Sequence, residues 1–137
     1  MRLTFDTNVI LDNLLNRQPF AGFSTRALKF ADAGKFTGYV TANTITDLYY
    51  LTYKVIRDDQ KVRELLRKIL NSLKLIDVTG RDIQKALASP MPDFEDALLA
   101  ACAHRIKSDY ILTRNEADFA DSPVAALTPE VFLKNET

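Results

Sequence analysis

The sequence predicts an α/β fold, with helices covering both faces of a central parallel sheet. Three observations carry this reading. Short apolar segments of strand type alternate with longer segments of helical period, the pattern of βαβ units. Acidic residues fall where an apolar segment stops or an apolar helix begins, and in open α/β sheets ligands bind beyond the carboxyl ends of the strands. The segment Ala97-Leu98-Leu99-Ala100-Ala101-Cys102-Ala103 is apolar on every side, which fits a helix enclosed by the rest of the fold.

In chain order, Arg2 to Phe5 reads as a buried strand, and Asp6-Thr7-Asn8 supplies residues that cap the following helix. Val9, Ile10, Leu14 and Leu15 give that helix its apolar face. A second helix over Phe20 to Ala33 is closed by Gly34. Gly38 to Val40 is a short strand, and Thr41 or Asn43 caps the helix bearing Ile45, Leu48, Leu51, Thr52 and Val55. Asp58 or Asp59 opens the next helix, with Val62, Leu65, Leu66, Ile69 and Leu70 inward and Lys61, Arg63, Arg67 and Lys68 in water. Leu75 to Val78 is expected as a strand and Arg81 to Ala88 as a short helix. Ser89-Pro90-Met91-Pro92 then forms a rigid connector to a helix over Asp93 to Lys107. Tyr110 to Thr113 is a strand, Val124 to Leu127 an edge strand, and Thr128-Pro129 opens a last helix with proline at its first position.

A length of 137 residues suits one domain, 1–137, with a core that needs no staples. Eighteen basic and eighteen acidic residues cancel, so a nucleic-acid partner must be met by a local patch. The single cysteine forms no internal disulfide, and no apolar run reaches the length of a membrane span, so a cytoplasmic protein is expected.

Candidate chemistry rests on Asp6, Asp47, Asp96 and Asp118. Carboxylates converging from separate segments repel, by roughly 2–3 kcal/mol for a pair about 6 Å apart at an effective dielectric near 20, so a divalent cation among them is the natural counterpart. Asp6 is freed for that role if Thr7 caps the helix. Asp93 and Asp96 share a helix face; Asp93 suits a cap, whereas Asp96 heads the buried face, and Glu95 is expected in solvent. One cysteine and one histidine disfavour zinc. An all-oxygen set suits Mg²⁺ or Mn²⁺, with water as the attacking group.

Taken together, Phe5-Asp6-Thr7-Asn8-Val9-Ile10-Leu11, Asp93-Phe94-Glu95-Asp96-Ala97-Leu98-Leu99-Ala100-Ala101, Asp109-Tyr110-Ile111-Leu112-Thr113-Arg114-Asn115 with Asp118-Phe119, and Thr128-Pro129-Glu130-Val131-Phe132-Leu133 resemble the PIN-domain ribonucleases of the VapC toxin type. The resemblance implies a three-layer α/β/α sandwich and Mg²⁺- or Mn²⁺-dependent cleavage of RNA. Asp6 and Asp96 would be principal metal ligands, with Asp47 and Asp118 completing the set. Asp47 stands where the family usually has glutamate and is shorter by one bond, roughly 1.5 Å; Asn115 stands where many members have an acid. Thr7, Asn8, Asp93, Thr113 and Asn115 would support the site, and Arg114, Lys54 and Arg57 would contact RNA, with Lys61, Arg67 and Lys68 adding to these or serving only as a solvated helix face. Tyr49, Tyr50 and Tyr53 could stack bases, line a subunit interface or pack. A homodimer and a small antitoxin protein are typical of the family.

Two rivals belong beside this reading. A PIN-like module could bind RNA or a protein without cutting, given Asp47 and Asn115. A haloacid-dehalogenase-like phosphatase also begins with an aspartate after its first strand but requires a second one two residues on, where this chain has Asn8.

Overall fold

A computed structural model describes residues 1–136. Five strands form one parallel sheet: β1 (Arg2–Phe5), β2 (Thr37–Thr41), β3 (Leu73–Ile76), β4 (Tyr110–Leu112) and β5 (Ala126–Leu127). Their spatial order is β3-β2-β1-β4-β5, and each neighbouring pair is parallel. The chain therefore works outward from β1 on one side and later returns to its other side. That reversal leaves a crevice at the carboxyl ends of β1 and β4.

Helices α1 (Thr7–Leu14), α2 (Ala21–Asp32), α3 (Ala42–Ile56), α4 (Asp59–Ser72) and α7 (Pro129–Asn135) supply one core with the inward side chains Leu3, Phe5, Val40, Leu73 and Leu112. Helices α5 (Gly80–Leu87) and α6 (Phe94–Arg105), with a 3₁₀ turn at Glu116–Phe119, build the second core on Ile76 and Ile111. Because successive strand residues point to opposite faces, Ile111 and Leu112 serve different cores. The result is the expected α/β/α sandwich, and α6 is buried from Ala97 through Ala103.

Most boundaries lie within a residue or two of those read from the sequence; β3 is displaced. It was expected at Leu75–Val78 but runs from Leu73, directly out of α4. Register is set by packing: Gly38 pairs with Leu73, and a Cβ at Gly38 would lie 2.4 Å from the Leu73 side chain. Leu73 thus fills space that only glycine leaves open. With Ile76 turned to the opposite core, Leu75 is left 53% exposed at the sheet edge. Caps fall as the sequence suggests: Thr41 for α3, Asp58 for α4 and Thr128 for α7, while Gly34, at φ 76°, follows α2.

The second core is clamped at its margin. Arg105, in the last turn of α6, donates through Nε and Nη2 to the Asp82 carboxylate and through Nη2 to the Asp77 carbonyl at 2.6 Å. Asp82 also closes a capping box with Thr79. Burial opposes its ionisation, but Arg105 and the Thr79 donors hold its carboxyl at about 2. A depressed carboxyl pKa stabilises the fold above the unfolded value near 4, and the gain is lost as pH falls through the folded value. Asp82→Asn should lower unfolding free energy by about 2 kcal/mol at neutral pH, with the difference from wild type shrinking between pH 4 and 2. Urea unfolding at stepped pH measures this.

Candidate active site

The crevice at the strand ends opens into a cleft of about 480 Å³. Asp6, Thr7, Asn8, Asp47, Asp96, Asn115 and Asp118 all contribute to its lining, so side chains from four distant stretches meet in one place. Asp6 leaves β1, whose end is tied to β4 by the Asp6 amide donating to the Leu112 carbonyl at 2.9 Å. Asp47 enters from α3, Asp96 from the first turn of α6, and Asn115 and Asp118 from the segment following β4.

Asp6 is doubly engaged. Its Oδ1 accepts from the Thr7 amide at 2.8 Å and its Oδ2 from Thr113 Oγ1 at 2.9 Å. The expectation that Thr7 would cap α1 and leave Asp6 free is therefore corrected: Asp6 itself caps the helix. This does not remove it from chemistry, since each carboxylate oxygen has two lone pairs. Thr113 is buried and also accepts from the Asn115 amide at 3.2 Å and from Asn8 Nδ2 at 3.5 Å, while Asn8 Oδ1 accepts from the Arg114 amide. Thr113 is thus a bracket behind Asp6, outside the cleft lining. Asp93 caps α6, accepting from the Asp96 amide at 2.9 Å.

Three cleft carboxyls are held toward the protonated form. Burial pushes Asp96 up to about 7, helped by the negative neighbours Asp6, Asp93, Asp118 and Glu95. Burial likewise raises Asp6, against its hydrogen bonds from Thr113 and Thr7, with Asp93 and Asp118 adding to the rise. Glu95 is raised chiefly by Asp47. It is exposed, as expected, and it also lines the cleft with Asp96 and Leu99. Its position four residues before Leu99, on one helix face, was the signal available in the sequence. Asn43 was also missed. It stands one turn before Asp47, with Oδ1 buried and unpartnered.

Among the described residues, no Lys, Arg or His contributes to the cleft lining, so no cationic side chain there offsets these acids. Among the described residues, no three acidic, histidine or cysteine side chains are gathered closely enough to enclose an ion unaided. The fit to a divalent cation therefore rests on an all-oxygen donor set and uncompensated charge, with water completing the shell in the manner of Mg²⁺.

The basic residues proposed for RNA lie elsewhere. Arg114 is turned from the cleft: its Nε stands 3.1 Å from the buried Asp12 carboxylate, and its guanidinium carbon is 4.4 Å from the centre of the Phe20 ring. Arg17 adds a longer ion pair to Asp12 at 3.9 Å. Burial raises the Asp12 carboxyl in spite of both cations. Lys54 and Arg57 sit at the C-terminal end of α3, where Arg57 adopts φ 58° and its Nε donates to the Lys54 carbonyl. Cys102 is packed in the second core, and burial pushes its thiol up to about 12.

A cleft lined by acids and amides lies at the switch point of this parallel α/β sandwich, the place where such folds take their ligands. The chain belongs to the PIN domain family, whose model matches residues 2–117. It is 27% identical over 134 residues to Ribonuclease VapC1 of Aquifex aeolicus (strain VF5), covering 94% of this chain and 91% of that protein. The fold is also similar to VapBC2 from Rickettsia felis bound to a promoter DNA fragment, with a TM-score of 0.72 at 15% identity, covering 93% of this chain and 98% of that one. A toxin-antitoxin complex from Klebsiella pneumoniae aligns with a TM-score of 0.69 at 22% identity over 93% and 97% of the two chains.

Two outcomes follow from this geometry. A carboxyl whose pKa is raised by folding destabilises the fold as pH climbs from its unfolded to its folded value. Asp96→Asn should therefore raise the metal-free melting midpoint at pH 7.5 by about 5 °C, and Mn²⁺ should stabilise wild type more than the variant in differential scanning fluorimetry. Arg114→Ala should cost about 3 kcal/mol in urea unfolding, because it strips the Asp12 carboxylate of its nearest cation.

Proposed function

We propose that this protein is a Mg²⁺- or Mn²⁺-dependent endoribonuclease that hydrolyses RNA phosphodiesters and acts as the toxin of a toxin–antitoxin pair. The observation that carries the reading is the joint placement of Asp6 and Asp96 in one cleft whose lining contains no cationic side chain. Membership of the PIN domain family and the ribonuclease relative support it. The structural relatives that contain antitoxins support a small protein inhibitor as partner, and a homodimer belongs to the same proposal.

Asp6, Asp96, Asp47 and Asp118 would hold the metal, which when bound supplies positive charge against the phosphodiester and lowers the pKa of water. The remaining chemistry falls to the chain. Thr7 and Thr113 fix Asp6 so that its carboxylate cannot swing toward solvent. The Asn115 side-chain amide is a neutral donor suited to non-bridging phosphate oxygens, while the Thr7 hydroxyl donates to Thr44, which bonds in turn to Thr41. Leu11, Leu51 and Leu99 line the same cleft and limit bulk water there.

The binding-module reading keeps a place because Asp47 is short and, among the described residues, no three acidic, histidine or cysteine side chains are placed to hold an ion together. The phosphatase reading loses ground: Asn8 holds the position where that chemistry needs a second aspartate, and its side chain contacts Thr113 and the Arg114 amide.

Purified protein should cut single-stranded RNA with Mn²⁺ or Mg²⁺ and stop on addition of EDTA. Asp6→Asn and Asp96→Asn should each lower kcat/KM at least about a hundredfold, the scale of losing more than 2.7 kcal/mol of transition-state stabilisation. Undiminished cleavage in both variants would reject the site. Metal-independent RNA binding with no cutting would establish the module reading.

A further inference from the structure

The carboxylate cleft poses a problem for a polyanionic substrate. RNA carries a negative charge at each phosphate, yet the cleft offers only acids, amides, hydroxyls and apolar groups. A metal can neutralise charge at the scissile group, but the flanking phosphates need cations elsewhere. Arg114 is occupied by buried Asp12 and by Phe20.

A second cavity of about 480 Å³ lies between α3 and α4, and Tyr50 lines both it and the cleft. Leu66 and Leu70 contribute apolar surface, while Arg63 and Arg67, one turn apart on α4, contribute positive charge. Arg63 is partly committed, its Nε donating to Asp59, which also accepts from the Tyr49 hydroxyl. Arg67 is exposed and makes no ion pair among the described residues. Tyr50 is 62% exposed, yet its ring packs edge-on against Tyr49 at 5.1 Å, and Tyr49 stacks in turn on Tyr53 at 6.0 Å. The ring is therefore braced from one side and open on the other.

We infer that the α3–α4 groove is a subsite for single-stranded RNA flanking the scissile bond. A base stacks on Tyr50 where the two cavities meet, and the phosphates beyond it contact Arg67 and Arg63. Aromatic platforms beside a cationic track are how unpaired RNA is held without sequence-specific contacts, and guanidinium groups match phosphate oxygens in pairs. A protein segment is the other occupant an apolar-floored groove admits. Two guanidinium groups on its wall, and a tyrosine shared with the acid cleft, favour a polyanion that continues into that cleft. The inference rests on the ribonuclease reading for the identity of the ligand, though its test does not depend on cleavage.

The test is fluorescence anisotropy in EDTA with a labelled single-stranded RNA of about twelve nucleotides, within the range of known single-strand sites. Arg67→Glu should weaken binding about tenfold, and Arg67→Ala should reduce the salt dependence by about one phosphate contact. Tyr50→Ala should weaken binding about tenfold and Tyr50→Phe little, since the ring face carries the contact. Lys29→Glu, the same charge reversal on α2 outside both cavities, should leave affinity unchanged. Arg67→Lys serves as a second variant that keeps the charge, and melting midpoints identify any variant that fails to fold. Affinity within twofold of wild type in both folded Arg67→Glu and folded Tyr50→Ala overturns the subsite and leaves the groove to a protein. An equal loss in Lys29→Glu overturns it too, by reducing the effect to net charge. Wild-type cleavage in Mn²⁺ is scored separately, so failure of the subsite and failure of the nuclease reading are distinguishable.

Discussion

Like charge gathered at the carboxyl edge of a parallel sheet is the constraint that organises this molecule. Asp6 is its fixed point. The backbone of that residue ties β1 to β4, its Oδ1 starts α1, and its Oδ2 takes the hydroxyl of Thr113. Three structural jobs on one residue leave it little freedom, and the other acids are arranged about it by rigid elements. Helix α3 brings Asp47, α6 brings Asp96 and Glu95, and the segment after β4 brings Asp118. Such an arrangement works against the fold when no cation is bound: the Asp96 carboxyl is raised first by burial and then by its negative neighbours.

The scaffold offsets that repulsion in two ways. Asp6 and Asp96 lie at the amino ends of α1 and α6, where the helix dipole and free amides favour negative charge. The two cores then lock the strands from both faces, and α6 is enclosed over seven consecutive residues. At the opposite end of α6, Arg105 binds Asp82 and the Asp77 carbonyl, so the helix bearing Asp96 is anchored far from the cleft by a fully compensated pair. Among the described residues the molecule thus holds two kinds of acid: one kind satisfied by arginine and structural, the other left without a cationic partner at the cleft.

Much of the architecture was legible in the sequence because helix periods, caps and turn residues are local signals. Thr41, Asp58, Thr128-Pro129 and Gly34 mark real element ends. β3 was placed two residues late because its register depends on Leu73 entering the space above Gly38, a contact 35 positions away in the chain, as the pairing of Gly38 with Leu73 shows. The four aspartates stood out because acids next to apolar segments are conspicuous. Glu95 and Asn43 stood out less: the spacing of Glu95 to Leu99 was a weak signal, and a helix-surface asparagine looks the same whether it faces solvent or a cleft. Nor does the sequence show where Arg114 points: its side chain turns back to a buried aspartate on α1.

By itself the order of residues determined an α/β alternation, the ends of most helices and the oxygen-only character of the candidate site. Those follow from short-range sterics, capping and side-chain chemistry, which neighbouring positions settle among themselves. The tertiary structure alone decided which acids share a cleft, which arginines are spent on internal pairs, and that Tyr50 bridges the cleft to a groove bearing Arg67. Direction in space is the physical reason. A side chain's partner depends on how distant elements pack, and packing is a property of the whole core.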